Sequence, residues 1–246
     1  MSEGQHVKDS IYADKQGQVQ GFCFDDKVTR VFADMIQRSV PGYGLTLQMI
    51  AVIAAQYAQK NTRLYDLGCS LGAATLAMRH GIQQVGCEIV AVDNSEAMLE
   101  QCAAYIASDT ADVPVVLTHA DIQDVVIENA SVVVLNFTLQ FIPVNERETF
   151  LKHVFKGLRA GGVLILSEKI AFDDAQKSEH QIQLHEGFKR SQGYSELEVS
   201  QKRQALENIL IPESLQAHHQ RLNNAGFTHS ETWFQCFNFA SMLAFK

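Results

Sequence analysis

Apolar positions along the chain fall into two alternating rhythms. From Asp26 to Val40 they recur at spacings of three and four (Val28, Val31, Phe32, Met35, Ile36), which predicts an amphipathic helix. Pro41-Gly42 breaks it, and a more apolar helix is expected from Leu45 to Ala58. The chain then switches to short apolar runs between helical stretches. Arg63–Leu67, Glu88–Val92, Val113–Thr118, Ser131–Leu135 and Val163–Leu166 read as strands, the last after a Gly161-Gly162 turn. Leu71–His80, Ser95–Ile106 (with Asn94 or Ser95 as cap) and Val144–Leu158 read as the intervening helices. Strand–helix alternation of this kind predicts an α/β fold: a parallel sheet, helices on both faces, right-handed crossovers.

Beyond Glu168 the pattern changes. Residues 173–210 are rich in Lys, Glu, Gln and Ser, with two helices expected around Asp174–Arg190 and Glu196–Asn208. Few apolar residues remain there for a private core, so the segment reads as an insertion over the sheet edge. Ser214–Asn224 is a further helix stopped by Gly226. Phe227–Phe234 and Cys236–Phe245 complete a seven-stranded sheet as an antiparallel edge. Residues 1–25 are polar without a period and read as a mobile arm placed to fold over a site. The expected organisation is that arm, then one α/β domain over 26–246 carrying the insertion.

Composition narrows the function classes. The 246 residues are 46% hydrophobic and 20% charged, ordinary for a globular chain. No apolar run reaches the ~20 residues of a membrane span, and MSEGQHVKDS lacks a secretory pattern. A net charge of −8 disfavours binding a polyanion, so no direct nucleic-acid partner is expected. The five cysteines are scattered with no C-x-x-C pair, which fits reduced thiols in a cytoplasm rather than disulfides or zinc. His180 and His185 are five apart and do not share a helix face as metal ligands would. His218-His219 reads as a solvated pair, and Phe234, Phe237 and Phe239 as core or subunit packing.

The candidate chemistry lies at the strand ends. Leu64-Tyr65-Asp66-Leu67-Gly68-Cys69-Ser70-Leu71-Gly72 runs from an apolar strand through small residues into a helix. In an open parallel sheet, ligands sit beyond the carboxyl ends of strands, and glycine lets the backbone approach them. The order is not G-x-G-x-x-G, so a pyrophosphate-cradling site is disfavoured. Asp93 ends the next strand, where a carboxylate can accept both hydroxyls of a ribose. Asp121 follows the third, placed for an adenine amino group, with the Ile122 amide for a ring nitrogen. Each acid has a plainer reading as a helix cap or loop residue, and the glycines as a tight turn. Cys69 lacks a basic neighbour and is not read as a nucleophile.

This set resembles the Rossmann-like class I methyltransferases that bind S-adenosylmethionine, over roughly residues 60–168. Ser70 stands where the usual loop has its middle glycine. The fourth strand ends in Asn136-Phe137-Thr138-Leu139, without the Asn/Asp-Pro-Pro-aromatic segment of amino-methylating nucleic-acid enzymes. Asn136 is placed either to bond a ligand near the sulfonium or to close a turn.

A wider resemblance spans residues 20–246. Met35-Ile36-Gln37-Arg38-Ser39-Val40-Pro41-Gly42-Tyr43, the loop above, Val134-Leu135-Asn136-Phe137-Thr138-Leu139-Gln140-Phe141, Gly193-Tyr194-Ser195-Glu196, Ser200-Gln201-Lys202-Arg203 and Trp233-Phe234-Gln235-Cys236-Phe237-Asn238-Phe239 stand in this order. Together they resemble the bacterial carboxy-S-adenosyl-L-methionine synthase family. The resemblance implies that S-adenosyl-L-methionine and prephenate become carboxy-S-adenosyl-L-methionine and phenylpyruvate, with no metal. The product then serves a partner enzyme that carboxymethylates a tRNA wobble uridine. It implies ligand contacts at Tyr43, Gly68, Cys69, Ser70, Asp93, Asn94, Asp121, Ile122, Asn136 and Arg203, with Arg203 receiving the new carboxylate. It also implies a homodimer with Arg203 near the interface. Read by spacing alone, Arg203 is a solvated helix residue beside Lys202, and Tyr43 a core tyrosine after a turn. Two other readings remain: an ordinary methyltransferase on a small molecule, and a non-catalytic carrier of an S-adenosyl ligand.

Overall fold

Four β-branched and leucine-rich runs are apolar at nearly every position, and a strand of that kind is stable only with both faces covered. The computed structural model, which describes residues 7–17, 21–207 and 209–246, provides that cover. Strands β1 (Arg63–Leu67), β2 (Glu88–Asp93), β3 (Val115–His119), β4 (Ala130–Asn136), β5 (Leu158–Lys169), β6 (His229–Cys236) and β7 (Phe239–Phe245) form one sheet in the order β3-β2-β1-β4-β5-β7-β6. The first five are parallel, and β7 runs antiparallel to both β5 and β6.

Alternation along each strand divides the core between the two faces. Tyr65, Leu67, Val133, Leu135, Leu164 and Leu166 pack on one side, against α5 (Val144–Gly157) and α8 (Leu215–Ala225). Leu64, Val132, Val134, Val163, Ile165 and Leu243 face the other, against α2 (Tyr43–Tyr57) and α3 (Ala73–Gly81). Each of these side chains fully withdrawn from water contributes about 1.5–3 kcal/mol. The sheet is therefore a rigid platform whose carboxyl-end edge can hold side chains in fixed positions.

Several boundaries differ from the sequence expectation. Strand β5 starts at Leu158, because Leu158 pairs with Ala130 and the ladder resumes at Val132 and Val163 after an irregular stretch. Gly161, at φ +74°, lies in that irregularity and does not make a separate turn. Helix α2 starts at Tyr43, immediately after the left-handed Gly42. Phe237, at φ +53°, sits in the β6–β7 turn.

The insertion supplies α6 (Ala175–Ser191) and α7 (Glu196–Leu206); Asn208, where the second was expected to end, lies outside the described residues. Asp174 caps α6 and a Ser195–Glu198 capping box opens α7. Both helices stand over the carboxyl ends of the strands, where the His185 ring lies 4.8 Å from that of Phe239. Residues 7–17, expected to be mobile, are instead fastened to this roof. Asp9 is buried and its carboxylate accepts from Tyr194 Oη at 2.5 Å, with Lys202 Nζ 3.4 Å away. Gln201 Nε2 donates to the Tyr12 and Asp14 carbonyls, and the Gln16 amide donates back to Gln201 Oε1. Residues 1–6 and 18–20 of the expected arm lie outside the described residues. The His218-His219 pair is not solvated either: His218 is 1% exposed, and His219 spans Ser230 Oγ and Thr232 Oγ1.

Candidate functional site

At the carboxyl end of β1 the chain must turn within a few residues into α3. Gly68 at φ +82° and Gly72 at φ +81° adopt backbone conformations closed to most side chains. A Cβ on Gly68 would also meet Thr138 at 2.5 Å. The Gly68 and Cys69 amides both donate to the Val92 carbonyl, at 2.8 and 2.9 Å, pinning the loop to the end of β2. Ser70 keeps a left-handed conformation (φ +51°) without being glycine. Its amide donates to Asp93 Oδ2 at 2.8 Å, and its hydroxyl meets Met98 Sδ at 3.3 Å, which hold it there.

Asp93 closes β2. Oδ1 accepts from the Ser95 amide at 2.9 Å at the start of α4 (Glu96–Ser108), so both carboxylate oxygens are oriented while keeping lone pairs toward the cavity. Burial raises its pKa against these amide bonds. One strand over, Asp66 is 1% exposed and accepts from Thr75 Oγ1 at 2.6 Å; burial pushes its pKa up to about 6. At the third strand, Asn94 Nδ2 donates to Asp121 Oδ1 at 2.7 Å, fixing the rim formed with Ile122.

Asn136 ends β4, between β1 and β5, where the strand order reverses direction. Its Oδ1 is buried and has no hydrogen-bond partner among the described residues, an acceptor left for a ligand. Tyr43 faces the same space from the first turn of α2, its ring 6.4 Å from Phe137. Burial, then the nearby Asp66 charge, raise its phenol pKa, so it is a neutral donor.

All ten residues singled out in the sequence line one cavity of about 850 Å³. That volume lies within the range of small-molecule sites. Nine sit at strand ends or in the first turn of α2. Arg203 reaches the wall from α7, and Nη1 pairs with Glu186 Oε1 at 3.2 Å while 62% of its side chain stays exposed. Its neighbour Lys202 is not on a solvated face; it is 4% exposed and donates to Ser39 Oγ at 2.9 Å.

The cavity is electrically polarised. Asp66, Asp93 and Asp121 line the β1–β3 end, and Lys169, Lys189, Lys202 and Arg203 outnumber Glu186 and Glu207 at the end under α6 and α7. Sequence reasoning missed the three lysines. Burial and the neighbouring Lys202, Lys169 and Arg203 charges lower the Lys189 pKa to about 7. Burial lowers Lys202 to about 8 despite Asp9. His185 also lines this end; burial and Lys189 hold its pKa near 3, so the ring is neutral, with Nε2 bonded to the Ser39 carbonyl at 2.8 Å. The available signal was periodic: Val199, Lys202 and Ala205 occupy one buried face of α7. Among the described residues no group of His, Cys, Asp and Glu is arranged to hold a metal ion, and no helix is long and apolar enough to cross a membrane.

Residues 64–162 match the methyltransferase-domain family. Among curated proteins, the chain is 58% identical over 239 residues to the carboxy-S-adenosyl-L-methionine synthase of Geobacter sp. strain M21, covering 97% of this chain and 98% of that one. It is 56% identical to the Aeromonas hydrophila synthase (98% and 97% covered) and 51% identical to that of Vibrio cholerae over the full length of both. Among solved structures, human N-acetylserotonin methyltransferase in complex with SAM superposes at a TM-score of 0.62 (14% identity, 90% of this chain, 55% of that one). A putative S-adenosyl-L-methionine-dependent methyltransferase from Methanococcus maripaludis gives 0.59 (17% identity, 94% and 97% covered). The fold is thus that of the class I methyltransferases, a Rossmann-like α/β sheet.

Proposed function

This chain belongs to the carboxy-S-adenosyl-L-methionine synthase family and is an enzyme acting on S-adenosyl-L-methionine, and from that premise we propose that its second substrate is prephenate. The observation that carries the reading is the polarised cavity: a nucleoside-type end lined by carboxylates, and an opposite end lined by cations suited to a dianion. Asp93 takes the ribose hydroxyls, Asp121 and the Ile122 amide the adenine edge, and Gly68, Cys69, Ser70 and Asn94 shape the floor. Tyr43 and Asn136 orient the methionine moiety, leaving the sulfonium methyl toward the basic end.

A sulfonium methyl is electrophilic, yet carboxylation needs that carbon as a nucleophile, so a methyl proton must leave first. Prephenate loses its ring carboxylate as carbon dioxide and its ring hydroxyl as hydroxide on becoming phenylpyruvate. The hydroxide takes the methyl proton and leaves as water; the ylide carbon then bonds carbon dioxide. The protein's part is positioning and enclosure, since carbon dioxide must meet the ylide before it escapes. Arg203 receives the new carboxylate, for which a guanidinium is geometrically matched. Its exposed position supports a homodimer in which the partner covers it. The product is proposed to leave for a cytoplasmic tRNA-modifying enzyme that carboxymethylates the wobble uridine.

The test is incubation of purified protein with S-adenosyl-L-methionine and prephenate, followed by mass spectrometry of the nucleoside and an assay for phenylpyruvate. Carboxylated nucleoside and phenylpyruvate should form in equal amounts. Phenylpyruvate at no more than the uncatalysed rate refutes the reading.

A further inference from the structure

Of the four cations at the basic end, two have protein counter-charges. Lys202 sits against Asp9, and Arg203 against Glu186. Lys169, the last residue of β5, and Lys189, in the last turn of α6, make no ion pair among the described residues; the carboxylate whose charge reaches both is Glu186, already paired with Arg203. Yet Lys189 is only 7% exposed, and both line the cavity. They come from consecutive elements, β5 and α6, that meet at this end of the cavity, and the Lys169 charge acts on Lys189. A buried cation without a paired counter-ion is expensive, and the charge of the half-buried Lys169 adds to the cost at Lys189. A fold that maintains them has an anion to place between them.

We propose that Lys169 and Lys189 form the subsite for the pyruvyl carboxylate of the second substrate, the carboxylate that does not react. This deepens the prephenate reading and rests on it. The choice between the two carboxylates follows from charge. The ring carboxylate becomes neutral carbon dioxide, so a cation clamped on it would stabilise the ground state over the transition state and slow its loss. The pyruvyl carboxylate keeps its charge throughout, and a fixed cation pair holds it equally in substrate and in phenylpyruvate. The buried ring of Phe239, also on the cavity wall, gives the substrate ring an apolar surface.

The experiment compares Lys169→Met, Lys189→Met, Lys189→Gln and Lys189→Arg with the unaltered enzyme. Each Met variant should raise the KM for prephenate at least tenfold, with kcat lowered less and the KM for S-adenosyl-L-methionine within twofold. Lys189→Arg should recover most of the loss. Independently of turnover, phenylpyruvate should raise the melting temperature of the unaltered protein and lose that effect in the Met variants. Equal rises in both KM values would overturn the proposal by assigning the lysines to the methionine carboxylate; unchanged KM values would assign them a structural role. If Lys189→Met does not fold, Lys189→Gln decides. Absence of phenylpyruvate formation by the unaltered enzyme defeats the prephenate reading itself, whereas the melting-temperature comparison still judges the carboxylate subsite.

Discussion

Removal of the Asp9 carboxylate should be disproportionately damaging for a residue so near the start of the chain. Asp9 is 1% exposed and Lys202 4% exposed, and their charged groups lie 3.4 Å apart. In Asp9→Ala, Lys202 Nζ retains Ser39 Oγ at 2.9 Å and Tyr194 Oη at 3.5 Å, neither of which carries a balancing charge. Breaking a buried pair from one side costs about 3–5 kcal/mol. Lys202 is already depressed from 10.5 to about 8 with Asp9 in place, and loss of Asp9 lowers it further. The unfolded chain then binds a proton that the folded chain does not, so stability rises with pH across the interval up to about 10.4, the ordinary lysine value. The penalty in Asp9→Ala should therefore be largest near pH 7 and shrink toward pH 10. Urea unfolding at several pH values reads it, at constant m-value. The double variant Asp9→Ala/Lys202→Met, which removes both charges, should be more stable than Asp9→Ala alone. A single-variant loss below about 1 kcal/mol at pH 7, or a double variant no better than the single, would refute the account of the roof as held by this pair.

Three further outcomes follow from the site. Arg203→Ala should lose carboxylated product while retaining S-adenosyl-L-methionine binding by calorimetry; equal loss of both ligands would contradict a carboxylate-specific role. Asp93→Ala removes the proposed ribose acceptor and the anchor of the Ser70 amide, so affinity for either nucleoside should fall by about two orders of magnitude, at ~1.5–3 kcal/mol per charged hydrogen bond; unchanged affinity would exclude the ribose assignment. Gly72→Ala should destabilise by about 1–3 kcal/mol in thermal unfolding, since the residue is left-handed and the new Cβ would stand 2.5 Å from Cys102 Sγ; wild-type stability would show that the loop relaxes freely.

The sheet was legible because β2 and β4 carry apolar runs, Ile89–Val92 and Val132–Leu135, that end at the polar Asp93 and Asn136, and because β1 runs straight into the Gly68–Gly72 loop. The irregular start of β5 was not, because Arg159, Ala160 and Gly161 carry no strand pattern and their place is set by pairing with β4. At the site, local loop chemistry revealed Gly68, Ser70 and Asp93, whose contacts lie within about one βαβ unit. Lys202 and Tyr194 read as a polar helix and its leading turn; their burial depends on Asp9, 193 and 185 residues away. Lys169 and Lys189 were hidden for the same reason: lysine in a sequence signals solvent, and only the closed roof reverses that. Arg203 was found through family resemblance, since the periodic face of α7 marks Val199, Lys202 and Ala205 and leaves Arg203 outside it.

The joining of residues 7–17 to α7 also sets the order in which the protein can be completed on the ribosome. A nascent chain that has emerged through β4 already holds the loop and strand-end acids that form the nucleoside floor. It lacks the ceiling until Tyr194, Gln201 and Lys202 appear and meet residues made about 185 positions earlier. Closing so long a span carries an entropic toll that grows only with the logarithm of its length, so late arrival is a matter of timing more than of energy. During synthesis, then, the residues of the nucleoside shelf are all made before those of the roof, and the chamber wall is complete only when Phe239 of β7 has been added.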